Sequence, residues 1–183
     1  TFLKTFNMKN IIITLMVLVS PTMVAPTSNS NVPIKIPTKN KVKVIKDIDL
    51  FLHDMGHRES GNRYGVVNQF GYMGKYQFGK STLRTLKIKV TKDAFLNSPD
   101  LQEYAMLQNL LYNKKRLQKY IDRFEGQEVN GILITESGIL AAAHLGGPGS
   151  VRKWFRTGKV AKDGNGVKIT QYMRQFSGYK LYL

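Results

Sequence analysis

An amphipathic helix that ends at a glycine is the feature that most constrains how this chain folds. Four apolar residues recur at the i, i+3, i+4, i+7 spacing of a helix with one buried face, namely Ile48, Phe51, Leu52 and Met55. Asp47 is a residue type that caps a helix start, and Gly61 can end the helix in the left-handed conformation. Continuing the stripe places Glu59 on the buried side of the last turn. Partial burial and the helix dipole both disfavour a negative charge there, which favours the neutral acid that can donate a proton.

The segment that follows, residues 59–78, is rich in glycine and aromatic residues and contains one carboxylate, Glu59. No Asp or Glu occurs again until Asp93, and Gln77 is the long amide near the end of the segment. A lone acid followed by aromatic faces and glycine turns suits a cleft that binds sugars. The alternative interpretation is a helix end followed by a glycine-rich loop.

Three motifs occur in order within roughly residues 47–180. They are Glu59-Ser60 with Gly71-Tyr72-Met73-Gly74-Lys75-Tyr76-Gln77 and Thr82, then Ala142-Ala143-His144-Leu145-Gly146-Gly147-Pro148-Gly149, and finally Thr170-Gln171-Tyr172-Met173. Together they resemble the catalytic region of the soluble lytic transglycosylases, in the lysozyme-like superfamily. This chain has His144 and Leu145 where that family usually has Tyr and Asn.

The resemblance implies a mainly α, lysozyme-like single domain that cleaves the β-1,4 bond between MurNAc and GlcNAc in peptidoglycan. Glu59 would protonate the glycosidic oxygen and then act as base while the C6 hydroxyl of MurNAc attacks C1, which gives a 1,6-anhydro sugar. The substrate-binding residues expected beside it, with Ser60 orienting Glu59, are Ser60, Tyr76, Gln77, His144 and Tyr172. No cofactor and no metal is expected.

Hydrolysis, as in goose-type lysozymes, stays open as an alternative outcome. Ordinary glycosidases generally use a pair of carboxylates, whereas intramolecular attack by the sugar does not need the second one. The acid-free stretch from 60 to 92 fits the single-acid reaction. A distant Asp or Glu that folds back into the cleft would instead allow a lysozyme-type muramidase.

The net charge of +16 and the absence of cysteine limit which other functions are possible. The charge predicts an anionic partner, so a non-catalytic binder of an anionic polymer is a further alternative. We expect peptidoglycan strands rather than nucleic acid, because the chain also carries an export signal. A metalloprotease is a weaker hypothesis: His53 and His57 share a helix face, but Asp54 stands where the zinc-protease motif has Glu.

The N-terminal 46 residues are predicted to lie outside the folded domain. Residues 1–25 have the basic start and short apolar run of a signal segment, and residues 26–46 read as a basic linker rich in Pro, Ser, Thr and Lys. The domain would then span residues 47–183. The protein is expected to be exported to the periplasm or cell envelope, with no stable membrane insertion after cleavage, and to be a monomer.

A second Glu-Ser-Gly, residues 136–138, is predicted to be structural. Thr135 looks like an N-cap, so the helix dipole would stabilise the Glu136 anion in the first turn. The helix that begins there should stop at Gly146–Gly149. We also predict a turn at 163–166 and a long helix from Ser98-Pro99 to Gly126. The residues expected on its apolar face are Leu101, Tyr104, Ala105, Leu111, Leu117, Tyr120, Ile121 and Phe124.

Overall fold

The computed structural model describes residues 46–183, so the predicted signal segment and nearly all of the predicted linker lie outside the described residues. Helices make up 57% of this range, which confirms the mainly α prediction. In chain order the elements are α1 (Ile48–Ser60), α2 (Lys80–Thr85), α3 (Lys92–Leu96), α4 (Pro99–Phe124), β1 (Glu128–Val129), β2 (Ile132–Leu133), α5 (Glu136–Thr157) and α6 (Ile169–Gln175). Within residues 46–183, none of these helices is both long enough and apolar enough to cross a membrane.

Three predicted helix starts are confirmed by their caps. The side chains of Asp47, Ser98 and Thr135 each accept a hydrogen bond from the backbone N–H three residues further on. These bonds satisfy one of the N–H groups that a helix start leaves without an intrahelical partner. The predicted end of α1 is also confirmed, because Gly61 adopts the left-handed conformation at φ 66°.

Two small elements were not predicted, namely α3 and the antiparallel pair β1–β2. The strands have two residues each, which is too short for a hydrophobic period to be visible. The turn between them is Asn130-Gly131, with φ values of 50° and 71°. Asn-Gly with two positive φ values is a hairpin signal, so the sequence did contain the information needed for this element.

Helix α5 runs through the centre of the domain and packs against α4 on one side and α6 on the other. Its small residues Ala141, Ala142 and Ala143 are buried, which allows the close approach. The predicted stop at residues 146–149 is only partly right. Gly147 breaks the helix with φ 76° and ψ 159°, and the chain resumes helical geometry at Pro148, a residue suited to a first helical position.

The predicted apolar face of α4 is confirmed in part, because Ala105, Leu117, Tyr120 and Ile121 are buried. Tyr104 and Leu111, predicted on the apolar face, are 52% and 44% exposed. The buried face also carries three amides that were not predicted there, Gln102, Asn109 and Asn113. Amides are tolerated there because they have hydrogen-bond partners, which apolar periodicity does not register.

The segment after α6 fixes α1 against the rest of the domain. The Phe51 ring packs edge-on against Phe176 and Tyr179, with centroid distances of 5.6 and 5.5 Å. The Tyr179 backbone N–H donates to the Ser137 hydroxyl at 3.1 Å, which links this segment to the start of α5. These contacts hold the first half of α1 against the rest of the domain, and the opposite end of the same helix carries Glu59.

Candidate functional site

Glu59 lies in the last turn of α1, and its side chain is 13% exposed. The prediction that it faces inward from the helix end is therefore confirmed. Its nearest polar neighbour is Tyr172 of α6, whose hydroxyl donates to Glu59 Oε1 at 2.6 Å. The other oxygen, Oε2, has no hydrogen-bond partner within residues 46–183. The carboxyl group is thus fixed through one oxygen and has the other available.

Tyr172 keeps its proton in this arrangement. Burial and, after it, the charge of the Glu59 carboxylate raise the pKa of Tyr172 well above its usual range. The phenol therefore remains a hydrogen-bond donor to Glu59 throughout the neutral range. The Arg58 guanidinium lies 5.7 Å from the centroid of the Tyr172 ring, so a cation stands on the same side of the site.

His144 of α5 stands behind Glu59, with its Nε2 4.0 Å from Glu59 Oε1. Its Nδ1 lies 3.0 Å from the Asn109 amide nitrogen, which can only donate, so Nδ1 accepts. The ring proton is then on Nε2, which donates to the backbone carbonyl of Tyr76 at 3.0 Å. Asn113 holds Asn109 in turn, because its amide donates to Asn109 Oδ1 at 3.2 Å. His144 is thus a fixed part of the wall, held by two hydrogen bonds.

Around Glu59 the chain forms an open cleft of about 780 Å³. Its walls come from the loop before α2, from α2 itself, from the break in α5 and from the turn at 162–167. Gln77, His144 and Tyr172 all line this cleft together with Glu59, as predicted for their positions. Among residues 46–183, two carboxylates belong to the lining, those of Glu59 and Asp163.

Gln77 reaches the cleft through an uncommon backbone conformation. Its φ is 52°, in the left-handed region that a residue with a side chain seldom adopts. The turn is closed by the Gln77 backbone N–H and by its side-chain amide, which donate to the carbonyl of Gly74 at 3.1 and 2.8 Å. These two bonds point the side-chain oxygen away from the turn, so an acceptor remains available at the wall.

Tyr76 is not in the cleft, and the prediction that it lines it is wrong. Its ring is fully buried, and its hydroxyl donates to Glu103 Oε2 of α4 at 2.5 Å. Burial and then Glu103 raise the pKa of Tyr76, so the phenol is a permanent donor inside the fold. Tyrosine is readily buried when its hydroxyl finds such a partner. Tyr76 contributes to the site only through its carbonyl, which fixes His144.

Ser60 is also placed differently from the prediction. It is 7% exposed, lies outside the lining of the cleft, and makes no hydrogen bond to Glu59. Its hydroxyl donates to the carbonyl of Lys75 at 2.8 Å and accepts from the Arg63 backbone N–H at 3.0 Å. Ser60 therefore ties the end of α1 to the loop that carries Gln77.

Sequence reasoning missed the two asparagines of α4 and the extent of the cleft. Asn109 and Asn113 line the cleft although they are only 4% and 1% exposed. Their signal was a pair of amides four residues apart on a helix, which places them on one face. Apolar periodicity does not register such a pair of amides.

The turn at 163–166 is confirmed as a turn, but its position in the cleft was not predicted. Asp163 Oδ1 accepts from the backbone N–H groups of Asn165 and Val167 at 3.0 and 2.7 Å. Gly164 lies against Phe70 of the opposite wall, where a Cβ would come within 3.2 Å of the ring. Glycine allows this close approach, and the two walls meet at this contact.

The histidines of α1 are not arranged as a metal centre. The rings of His53 and His57 stack at 6.4 Å, and His53 Nδ1 is 3.2 Å from Asp54 Oδ1. Among residues 46–183 there is no group of three His, Asp or Glu side chains that could hold a metal ion.

The chain matches no protein-family model, no curated protein and no solved structure. Any functional conclusion therefore depends on the residues of the cleft and their geometry.

Proposed function

We propose that this protein is a lysozyme-like peptidoglycan lytic transglycosylase in which Glu59 is the general acid and base. The observation that carries the proposal is the partly buried Glu59 carboxyl, held through one oxygen by Tyr172 in a cleft large enough for several sugar rings. The resemblance of the three sequence motifs supports the same reaction. We also propose that the protein is exported to the periplasm or cell envelope and acts there as a monomer on glycan strands.

In this reaction the proton on Glu59 Oε2 passes to the glycosidic oxygen as the bond from C1 of MurNAc to that oxygen breaks. The departing GlcNAc then ends in a free hydroxyl. The Glu59 carboxylate takes the proton of the MurNAc C6 hydroxyl as that oxygen attacks C1, so the product is a 1,6-anhydro sugar and Glu59 is protonated again. One acid serves both steps, which general acid–base catalysis permits. Tyr172 would hold Oε1 in place and stabilise the Glu59 carboxylate that exists between the two proton transfers.

Hydrolysis is the second candidate, and Asp163 is the observation that favours it. A muramidase generally needs a second carboxylate to activate a water or to stabilise the sugar cation. Asp163 lines the same cleft, and two backbone N–H groups hold one of its oxygens. These bonds fix the orientation of the Asp163 carboxyl group in the cleft.

The deciding experiment is mass spectrometry of the products released from purified peptidoglycan in water enriched in oxygen-18. Anhydro products without the heavy isotope are expected. Reducing ends that carry oxygen-18 would show hydrolysis and would replace the proposal with the second candidate. If bound protein releases no product, it is a binder of the polymer.

A substitution at Asp163 separates the two reactions further. Asp163→Asn keeps the oxygen that accepts from the turn and removes the charge. Product release should stay within about threefold of wild type if Glu59 acts alone, and should fall by about 10²-fold or more if Asp163 is a partner in hydrolysis.

A further inference from the structure

A second, shallower cavity of about 460 Å³ lies on the far side of α6 from Tyr172, between the β1–β2 turn and the second half of α5. It shares no lining residue with the Glu59 cleft. Its polar lining residues are Asn130, Lys168, Thr170, Gln171 and Arg174, with Trp154 on the floor. None of the motifs behind the proposed function requires this cavity.

Two nearly buried donors face this cavity without a partner from the protein. Trp154 is 2% exposed and Thr170 is 6% exposed. Within residues 46–183, neither the indole N–H nor the threonine hydroxyl makes a hydrogen bond, and neither atom is sealed from solvent. Because both donor groups are open to solvent and have no protein partner, an acceptor bound in the cavity can take the place of water on them.

The charges around the cavity have a single sign. Lys168 and Arg174 both line it, and no carboxylate of residues 46–183 lies within 4.0 Å of either cationic group. No Asp or Glu belongs to the lining. Gln171 adds a further donor, because its oxygen already accepts from the Lys168 backbone N–H at 2.7 Å and its amide nitrogen is left over.

We infer that this cavity is a binding site for an oxyanion, the carboxylate or phosphate group of a larger ligand. Its side chains offer an indole N–H, a hydroxyl, an amide nitrogen, an ammonium and a guanidinium, all of which donate. Arginine donates in a fork that matches two oxygens of a carboxylate or phosphate. The apolar side chains of Ile132 and Val160, also in the lining, accommodate a carbon portion beside the anion.

The chain provides its own reporter for this site, because Trp154 is the single tryptophan in the sequence. The test titrates the full chain with sodium phosphate and, separately, with sodium acetate, and follows tryptophan fluorescence at an ionic strength held constant with sodium chloride. A saturable change is expected with at least one anion. Saturation by phosphate alone assigns the site to phosphate groups, and saturation by acetate assigns it to carboxylates.

Arg174→Gln should weaken the apparent affinity about tenfold or more, the usual effect of losing a charge-assisted hydrogen bond. Arg156→Gln is the matched control, since Arg156 is exposed, lies on the same helix as Trp154 and is outside the cavity. The inference is overturned if neither anion gives a saturable change, or if both variants weaken binding equally. Since the readout is fluorescence and not cleavage, the result is independent of whether Glu59 is catalytic.

Discussion

The tripeptide Glu-Ser-Gly occurs twice in this protein, once at the C-terminal end of α1 and once at the N-terminal end of α5. The same three letters therefore meet opposite ends of the helix dipole. Glu59 carries its charge where the dipole opposes it, and Glu136 carries its charge where the dipole stabilises it. The position of a residue in its helix, and not its identity alone, decides what its side chain can do.

The surroundings of the Glu59 and Glu136 carboxyl groups also differ. Glu59 lines a cleft and accepts a hydrogen bond from a neutral phenol, that of Tyr172. Glu136 lies outside the cleft, and its Oε1 is 3.0 Å from the ammonium nitrogen of Lys114. The Lys114 ammonium gives Glu136 a charged partner in a structural ion pair, whereas the Tyr172 phenol fixes one oxygen of Glu59 and leaves the other open to the cleft. The first environment suits catalysis and the second suits structure.

The serine and the glycine of each tripeptide also have different roles in the two places. Ser60 fixes the loop of the cleft, while the Ser137 hydroxyl accepts from the Tyr179 backbone N–H. Gly61 is required for its positive φ, whereas Gly138 is required because a Cβ there would lie 2.6 Å from the carbonyl oxygen of Met173. The comparison can therefore be tested residue by residue.

Glu59→Gln should have the largest effect. The change keeps shape and the bond from Tyr172 but removes the transferable proton, so release of soluble fragments from purified sacculi should fall by about 10²–10⁴-fold. The thermal midpoint should hold or rise slightly, because a charge opposed by the helix dipole is removed. Binding to sacculi should survive. An active Glu59→Gln protein would contradict the single-acid mechanism.

Local signals explain which parts of this site were predictable. Asp47 and Gly61 mark the two ends of α1, and the stripe between them gave the direction of Glu59. Thr135 gave the start of α5 in the same way, which separated the two Glu-Ser-Gly segments. Each of these inferences needs only residues within a few positions of one another.

The parts that were missed depend on partners far away in the chain. Tyr76 is buried because Glu103, 27 residues later, accepts its hydroxyl. Gln102 is buried because it accepts from the Lys75 backbone N–H at 2.8 Å. Asp163 lines the cleft beside Gly164, which packs against Phe70 from a much earlier part of the chain. Periodicity and capping carry no information on such pairs, so the amides on the core side of α4 and the second carboxylate of the cleft were not found.

Glu103→Gln should show what an acid with a purely structural role contributes. Burial raises the pKa of Glu103, but Lys75, at 2.7 Å, and the hydroxyls of Tyr76 and Tyr64 outweigh it and lower the pKa. Because the pKa of Glu103 is lower in the folded protein than in the unfolded chain, its ionised form stabilises the fold. That stabilisation is fully present above the pKa of the unfolded chain and is lost as the pH falls through the pKa of the folded protein. The variant should lose about 2 kcal/mol in urea unfolding at pH 7, since Lys75 loses its charged partner.

The difference between wild type and Glu103→Gln should narrow below about pH 4, where the wild-type carboxyl also becomes neutral. A pH-independent difference would mean that shape, and not charge, makes the contribution. Cleavage per folded molecule should be unchanged at neutral pH, in contrast to Glu59→Gln.

Gly138→Ala should destabilise the protein by about 1–2 kcal/mol, because α5 and α6 must separate to admit a methyl group against the Met173 carbonyl. Gly61→Ala should cost about 1 kcal/mol, since the position has open space and only its positive φ is unfavourable. Urea unfolding of the two variants side by side gives both values. A larger loss for Gly61→Ala would reverse the assignment of the two glycines.

Glu136→Gln should have the smallest effect, and it is the matched control for Glu59→Gln. The change removes a favourable interaction with the helix dipole and a partly exposed ion pair with Lys114, so the free energy of unfolding should fall by about 1 kcal/mol or less. Raising the salt concentration should reduce that difference, because partly exposed pairs are screened. Activity on sacculi should stay within about twofold of wild type. If Glu136→Gln is folded and inactive while Glu59→Gln is active, the catalytic role belongs to the other Glu-Ser-Gly.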